Sequence, residues 1–170
     1  PMARSATVSK PAMPPSVLIL ACGNPSRGDD ALGSLFLERL AATQERFGWN
    51  DVELITDFQF QIEHVVDLED RALVLFVDSS VSCLPPYQFI RLQPAFCDTS
   101  YTSHALSPAT VLQVYTQVHH TPPPSAFQLA IRGERFELGE SLSAAAEANL
   151  AAALEFTERL LMQRDAVEWM

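Results

Sequence analysis

Val17-Leu18-Ile19-Leu20-Ala21-Cys22-Gly23-Asn24-Pro25-Ser26-Arg27-Gly28-Asp29-Asp30-Ala31-Leu32-Gly33 decides the fold. An apolar run breaks at Gly-Asn-Pro, a tight turn ends in two adjacent carboxylates, and an amphipathic pattern begins with Leu35, Phe36, Leu37 and Leu40. That is strand, turn and helix, with acids where the helix starts. The first amides of a helix lack intrahelical partners and carry partial positive charge, so two capping acids are one reading of Asp29 and Asp30. A functional pair is the other.

Working outward, residues 1–16 are rich in Pro, Ser and Ala without periodicity and read as a loose tail. Strand one covers 17–22 and helix one 30–47, ended by Gly48 and Asn50. A second strand, 52–56, leads into Asp57-Phe58-Gln59-Phe60-Gln61, and Ile62, Val65, Val66 and Leu68 suggest a short helix. The third strand, 72–77, is apolar throughout, as for a central strand covered on both faces, and stops at Asp78-Ser79-Ser80. Only about eight residues, Pro85-Pro86 among them, separate it from a fourth strand at 87–92. A parallel crossover needs a dozen or more, so strand four is expected to run antiparallel to strand three. The loop from Gln93 to Leu106 then has room to return to the other edge of the sheet.

Ser107-Pro108 opens another helix with Val111, Leu112, Val114 and Tyr115 as its apolar face. His119-His120 and the three prolines after Thr121 form a break that reads as an exposed loop. Strand five follows at 126–131, then an irregular stretch from Arg132 to Glu140, and Ser143 caps a long helix reaching Gln163. Alternating strand and helix gives an α/β fold, a three-layer α/β/α sandwich in one domain over 17–164, with 165–170 as a C-terminal tail.

Composition narrows the function classes. The 170 residues are 48% hydrophobic, which suits one domain with a sizeable core. A formal net charge of -10 argues against nucleic acid and anionic membrane surfaces as partners. The apolar run before Cys22 is too short for a signal peptide, and no run reaches a membrane span. Cys22, Cys83 and Cys97 form no CxxC pair and fit reduced thiols in a cytoplasmic protein.

In an open α/β sheet, sites form at the carboxyl ends of the strands. Asp29 and Asp30 follow strand one, Asp57 strand two and Asp78 strand three, while His104 sits in the returning loop just before a helix. Two carboxylates and an imidazole are acceptable donors to nickel or zinc. Acids at strand ends also simply cap turns, and a Cys97–His104 nucleophilic pair is a further option. Tyr101, Thr102 and Ser103 flank the imidazole with hydroxyls. His64 reads as ordinary surface or interface. No GxGxxG, GxxxxGK[ST] or GxSxG stretch is present.

Gly23-Asn24-Pro25-Ser26-Arg27-Gly28-Asp29-Asp30-Ala31-Leu32-Gly33 resembles the opening signature of the [NiFe]-hydrogenase maturation proteases. An apolar strand ending at Asp78, and Ser103-His104-Ala105-Leu106-Ser107 before a helix, follow in the order that family has them. The resemblance spans 17–161. It implies an α/β/α sandwich around a mixed five-stranded sheet with one antiparallel strand. It also implies a peptidase that removes a C-terminal extension from the hydrogenase large-subunit precursor after nickel insertion. Carried over by position, the family's three metal-contacting residues fall on Asp30, Asp78 and His104, with nickel arriving in the precursor rather than held as a resident cofactor.

Asp29, the adjacent acid, is turned elsewhere by a step of about 100° along a helix and takes a supporting role, grouped with the residues that meet the substrate. Many members have Gly-Gly-Thr after the second strand, where this chain has Asp57-Phe58-Gln59-Phe60-Gln61. Asp57, Phe58 and Gln59 are therefore expected to face the substrate and help choose it. That variant and the Tyr-Thr-Ser-His-Ala-Leu-Ser-Pro stretch look most like members serving cytoplasmic NAD-reducing, bidirectional hydrogenases. The expected form is a monomer. Two rival functions share these residues: a self-sufficient metallohydrolase of small peptides, and a non-catalytic nickel or assembly chaperone.

Overall fold

A computed structural model describes residues 15–96, 106–163 and 169. Five strands, β1 (Val17–Cys22), β2 (Val52–Asp57), β3 (Leu73–Ser80), β4 (Tyr87–Arg91) and β5 (Ser125–Arg132), form one sheet in the order β2-β1-β3-β5-β4. All neighbours run parallel except β4 and β5. The helices are α1 (Leu32–Phe47), α2 (His64–Asp67), α3 (Pro108–His119) and α4 (Ala144–Leu161), and a short 3-10 turn, Gly28–Ala31, leads into α1. Among the described residues no helix is long and apolar enough to cross a membrane.

Successive strand residues point to opposite faces of a sheet, and this sheet buries both. Ile19, Ala21, Leu75, Val77, Phe127 and Leu129 pack under Phe36 and Leu40 of α1 and Leu150 and Ala153 of α4. Leu18, Leu20, Val74 and Phe76 pack on the other face under Val65 of α2 and Val111, Leu112 and Tyr115 of α3. Those two cores define the three layers. Ser143 caps α4 by accepting from the Ala146 amide, and Ser107 caps α3 through Thr110. Gly48, at φ 66°, closes α1 in the left-handed conformation that glycine adopts at least cost.

The structure adds to the sequence reading at three points. β4 does run opposite to β3, but β5 lies between them and β4 takes the edge. Its exposed Gln88, Ile90 and Arg91 suit an edge, whereas Ala126, Phe127, Leu129 and Ile131 of β5 need cover on both sides. Trp169, the one described residue of the expected 165–170 tail, packs against the domain. Trp169 is 3% exposed, its ring lies 5.3 Å from that of Phe127, and its Nε1 donates to the Leu160 carbonyl at 3.0 Å. His64, read as ordinary surface or interface, is buried.

The β1-to-α1 turn is as tight as glycine allows. A Cβ on Gly33 would stand 2.1 Å from the Cys22 carbonyl oxygen, so α1 rests directly on the end of β1. Because the obstructing atom is backbone, Gly33→Ala is expected to cost about 3 kcal/mol, the upper end of overpacking penalties. Equilibrium urea unfolding checks it, and a loss under about 1 kcal/mol would show that the helix can lift off without penalty.

Candidate functional site

β3 outruns its neighbour. Pairing with β1 ends at Ala21–Val77, whereas pairing with β5 continues through Asp78, Ser79 and Ser80. Asp78 therefore lies inside β3 rather than after it, on a stretch whose β1-facing edge is open. The 3-10 turn carrying Asp30 fills the space above that edge. The two acids, 48 residues apart in sequence, line one cleft of about 410 Å³ with Arg27, Ser79, Val81 and Phe136.

Local bonds hold both carboxylates. The Asn24 amide donates to Asp30 Oδ2 and the Ser79 hydroxyl to Asp30 Oδ1, each at 3.0 Å. The Ser79 amide donates to Asp78 Oδ1 at 2.8 Å. Burial pushes the Asp78 carboxyl up to about 7 and the negative charge of Asp30 adds to this, while the Ser79 amide opposes it. Near neutral pH the cleft thus offers a carboxyl poised between its two protonation states, next to a second acid.

Asp29 points away from the cleft. It has no exposed surface, and its carboxylate accepts from the Glu134, Arg135 and Ser143 amides and the Ser143 hydroxyl. Burial works against its charge, but the hydrogen bonds prevail and hold its pKa below the ordinary value. The placement beside substrate is corrected: with every approach filled by its own chain, Asp29 supports the site from within. It fastens the strap of residues 134–143 onto the signature turn. Arg27 Nε donates to the Phe136 carbonyl at 2.8 Å and the Gly139 amide to the Ser26 carbonyl at 2.8 Å. Gly28, at φ 54°, lets the Asp29 amide reach the Arg135 carbonyl at 2.6 Å.

Asp57 ends β2 opposite Cys22 and borders a neighbouring hollow of about 250 Å³ with Gly23, Pro25, Thr56 and Phe58. His64 locks this loop. Its Nδ1 accepts from the Gln61 amide at 2.8 Å and its Nε2 lies 3.1 Å from Asp57 Oδ2. An imidazole accepting at Nδ1 carries its proton on Nε2, which donates to Asp57. Phe58 is 67% exposed, and Gln59 lines a further hollow with Gln61, Ile62 and Leu106.

Cys22 lies beneath the acids. Burial, then the charges of Asp78, Asp57 and Asp30, push its thiol far above the ordinary range, so it is no thiolate nucleophile. His104, the third expected ligand, lies outside the described residues, as do Cys97, Tyr101, Thr102 and Ser103. Among the described residues no group of three or more His, Cys, Asp or Glu forms a metal site. Arg27, Ser79, Phe136 and His64 were not legible in the sequence. Only Arg27 carried a signal, its place inside the signature turn.

No protein-family model and no curated protein matches the chain. Solved structures match it. The [NiFe] hydrogenase maturation protease HycI from Thermococcus kodakarensis KOD1 is 22% identical, with 88% of this chain and 94% of that one covered at a TM-score of 0.67. The hydrogenase maturating endopeptidase HybD from E. coli is 21% identical, with 87% and 93% covered at 0.66. The hydrogenase 2 maturation peptidase from Thaumarchaeota archaeon SCGC_AB-539-E09 is 20% identical, with 85% and 97% covered at 0.58. The chain thus has the α/β fold of these hydrogenase maturation proteases, built in this chain on a mixed sheet with one antiparallel edge strand.

Proposed function

We propose that this chain is a hydrolase, an endopeptidase that removes the C-terminal extension of the [NiFe]-hydrogenase large-subunit precursor once nickel is in place. The observation that carries the reading is the cleft: Asp30 and Asp78, far apart in sequence, open side by side on a fold shared with hydrogenase maturation proteases. In this reading Asp30, Asp78 and His104 grip nickel that the precursor's thiolates already hold, so the metal is cargo and the recognition element. Carboxylate oxygens suit a borderline divalent ion that already has softer ligands from its carrier. A precursor without nickel offers these side chains nothing to hold. Asp57, Phe58 and Gln59 meet the substrate beside the cleft, and their departure from Gly-Gly-Thr supports service to a cytoplasmic NAD-reducing hydrogenase. A water polarised by the precursor's metal or by a carboxylate cuts the peptide bond. The protein works as a cytoplasmic monomer.

The test is incubation with nickel-loaded large-subunit precursor, read by intact mass. Wild type is expected to shorten the precursor, with nickel-free precursor left whole and Asp30→Asn inactive. Binding without a change in mass would make the chain an assembly chaperone. Turnover of generic peptides with tightly held metal would make it a self-sufficient metallohydrolase.

A further inference from the structure

We propose that Ser79 is a positioning residue that fixes the two cleft carboxylates relative to each other, an inference that rests on the reading of the cleft given above. Ser79 follows Asp78 on the stretch of β3 left open where β1 ends, and it contacts both acids at once. Its amide donates to Asp78 Oδ1 at 2.8 Å, and its hydroxyl donates to Asp30 Oδ1 at 3.0 Å. The second bond spans 49 residues of sequence and is a side-chain bridge from the 3-10 turn to β3.

Among the described residues, Asp30 is otherwise held at its carboxylate by one backbone amide, that of Asn24 on Oδ2. A carboxylate with a donor on each oxygen cannot rotate without losing one of them, and each oxygen keeps a second lone pair for the cleft. Remove the hydroxyl and the carboxylate can turn about the Asn24 bond. The cleft would keep both acids and lose their relative geometry. Misplacing a reacting group by about 1 Å is enough to cost some hundredfold in rate. Ser79 touches neither a substrate nor a metal in this account and acts entirely through Asp30 and Asp78.

Two substitutions and three readouts test this. Ser79→Ala removes the hydroxyl and leaves the backbone amide in place, whereas Ser79→Thr keeps the hydroxyl on a residue well suited to a strand. With nickel-loaded precursor, Ser79→Ala is expected to lower kcat at least about tenfold while leaving KM and the urea midpoint close to wild type. Ser79→Thr is expected to restore most of the rate. A crystal structure of Ser79→Ala should show the Asp30 carboxylate rotated while the Asn24 bond persists.

Wild-type kcat in Ser79→Ala, failure of Ser79→Thr to rescue, or an unmoved Asp30 carboxylate overturns the inference. Failure of the wild-type chain to process any precursor overturns the functional reading instead. The crystal structure still decides the positioning role in that case.

Discussion

Replacing Asp29 with Ala is expected to destabilise the fold by about 3–5 kcal/mol, because several buried donors lose their acceptor at once. The carboxylate has no exposed surface and accepts four hydrogen bonds, three from backbone amides of the strap and one from the Ser143 hydroxyl. Alanine would leave those donors facing a void with no acceptor. The strap that carries Phe136 into the cleft would lose its main anchor. Because the folded pKa of Asp29 is depressed, its contribution is present above the ordinary carboxylate range and lost as pH falls through the folded value. The wild-type-to-variant gap in urea unfolding should therefore be widest near neutral pH and close in strong acid. A loss under about 1 kcal/mol at neutral pH would show that the strap is held by other means.

Asp78 should behave in the opposite way. Its carboxyl is pushed up to about 7 in the folded chain, so the folded state holds a proton that the unfolded chain releases near 4. Stability from this group is greatest in acid, falls as pH rises from about 4 to 7, and stays low above that. Asp78→Asn keeps an oxygen for the Ser79 amide and removes the charge. At pH 8 it should stabilise the protein by about 2 kcal/mol, allowing for partial solvent screening of the site. At pH 4 the gain should vanish.

On the proposed function the same substitution should reduce precursor processing to below about one hundredth of wild type, a trade of stability for activity. On that reading, wild-type processing should also weaken towards acid pH, because a proton would compete for the Asp78 oxygen proposed to grip the metal. A variant that is both more stable and fully active would remove Asp78 from the mechanism.

The stretch from Val17 to Gly33 determined a great deal by itself. Its apolar run, its Gly-Asn-Pro break and its amphipathic continuation specify β1, the turn and α1, because burial on both sheet faces and on one helix face leaves different periodicities in the chain. The uniformly apolar 73–77 run likewise marks β3 as central, and Ser107 and Ser143 mark helix starts through their caps.

What the sequence left open was how particular segments pack against one another. β5 between β3 and β4, Trp169 against Phe127, and His64 bonded toward Asp57 follow from packing that no local pattern encodes. The twin acids show where the sequence reading stops: it separates Asp30 from a supporting Asp29 but does not say what Asp29 meets. Asp29 and Asp30 are alike as letters, yet the 3-10 turn aims one into the strap and the other into the cleft. Adjacent side chains on a tight turn diverge by roughly a third of a revolution, and only the tertiary structure decides which of them meets its own chain and which meets the open edge of β3.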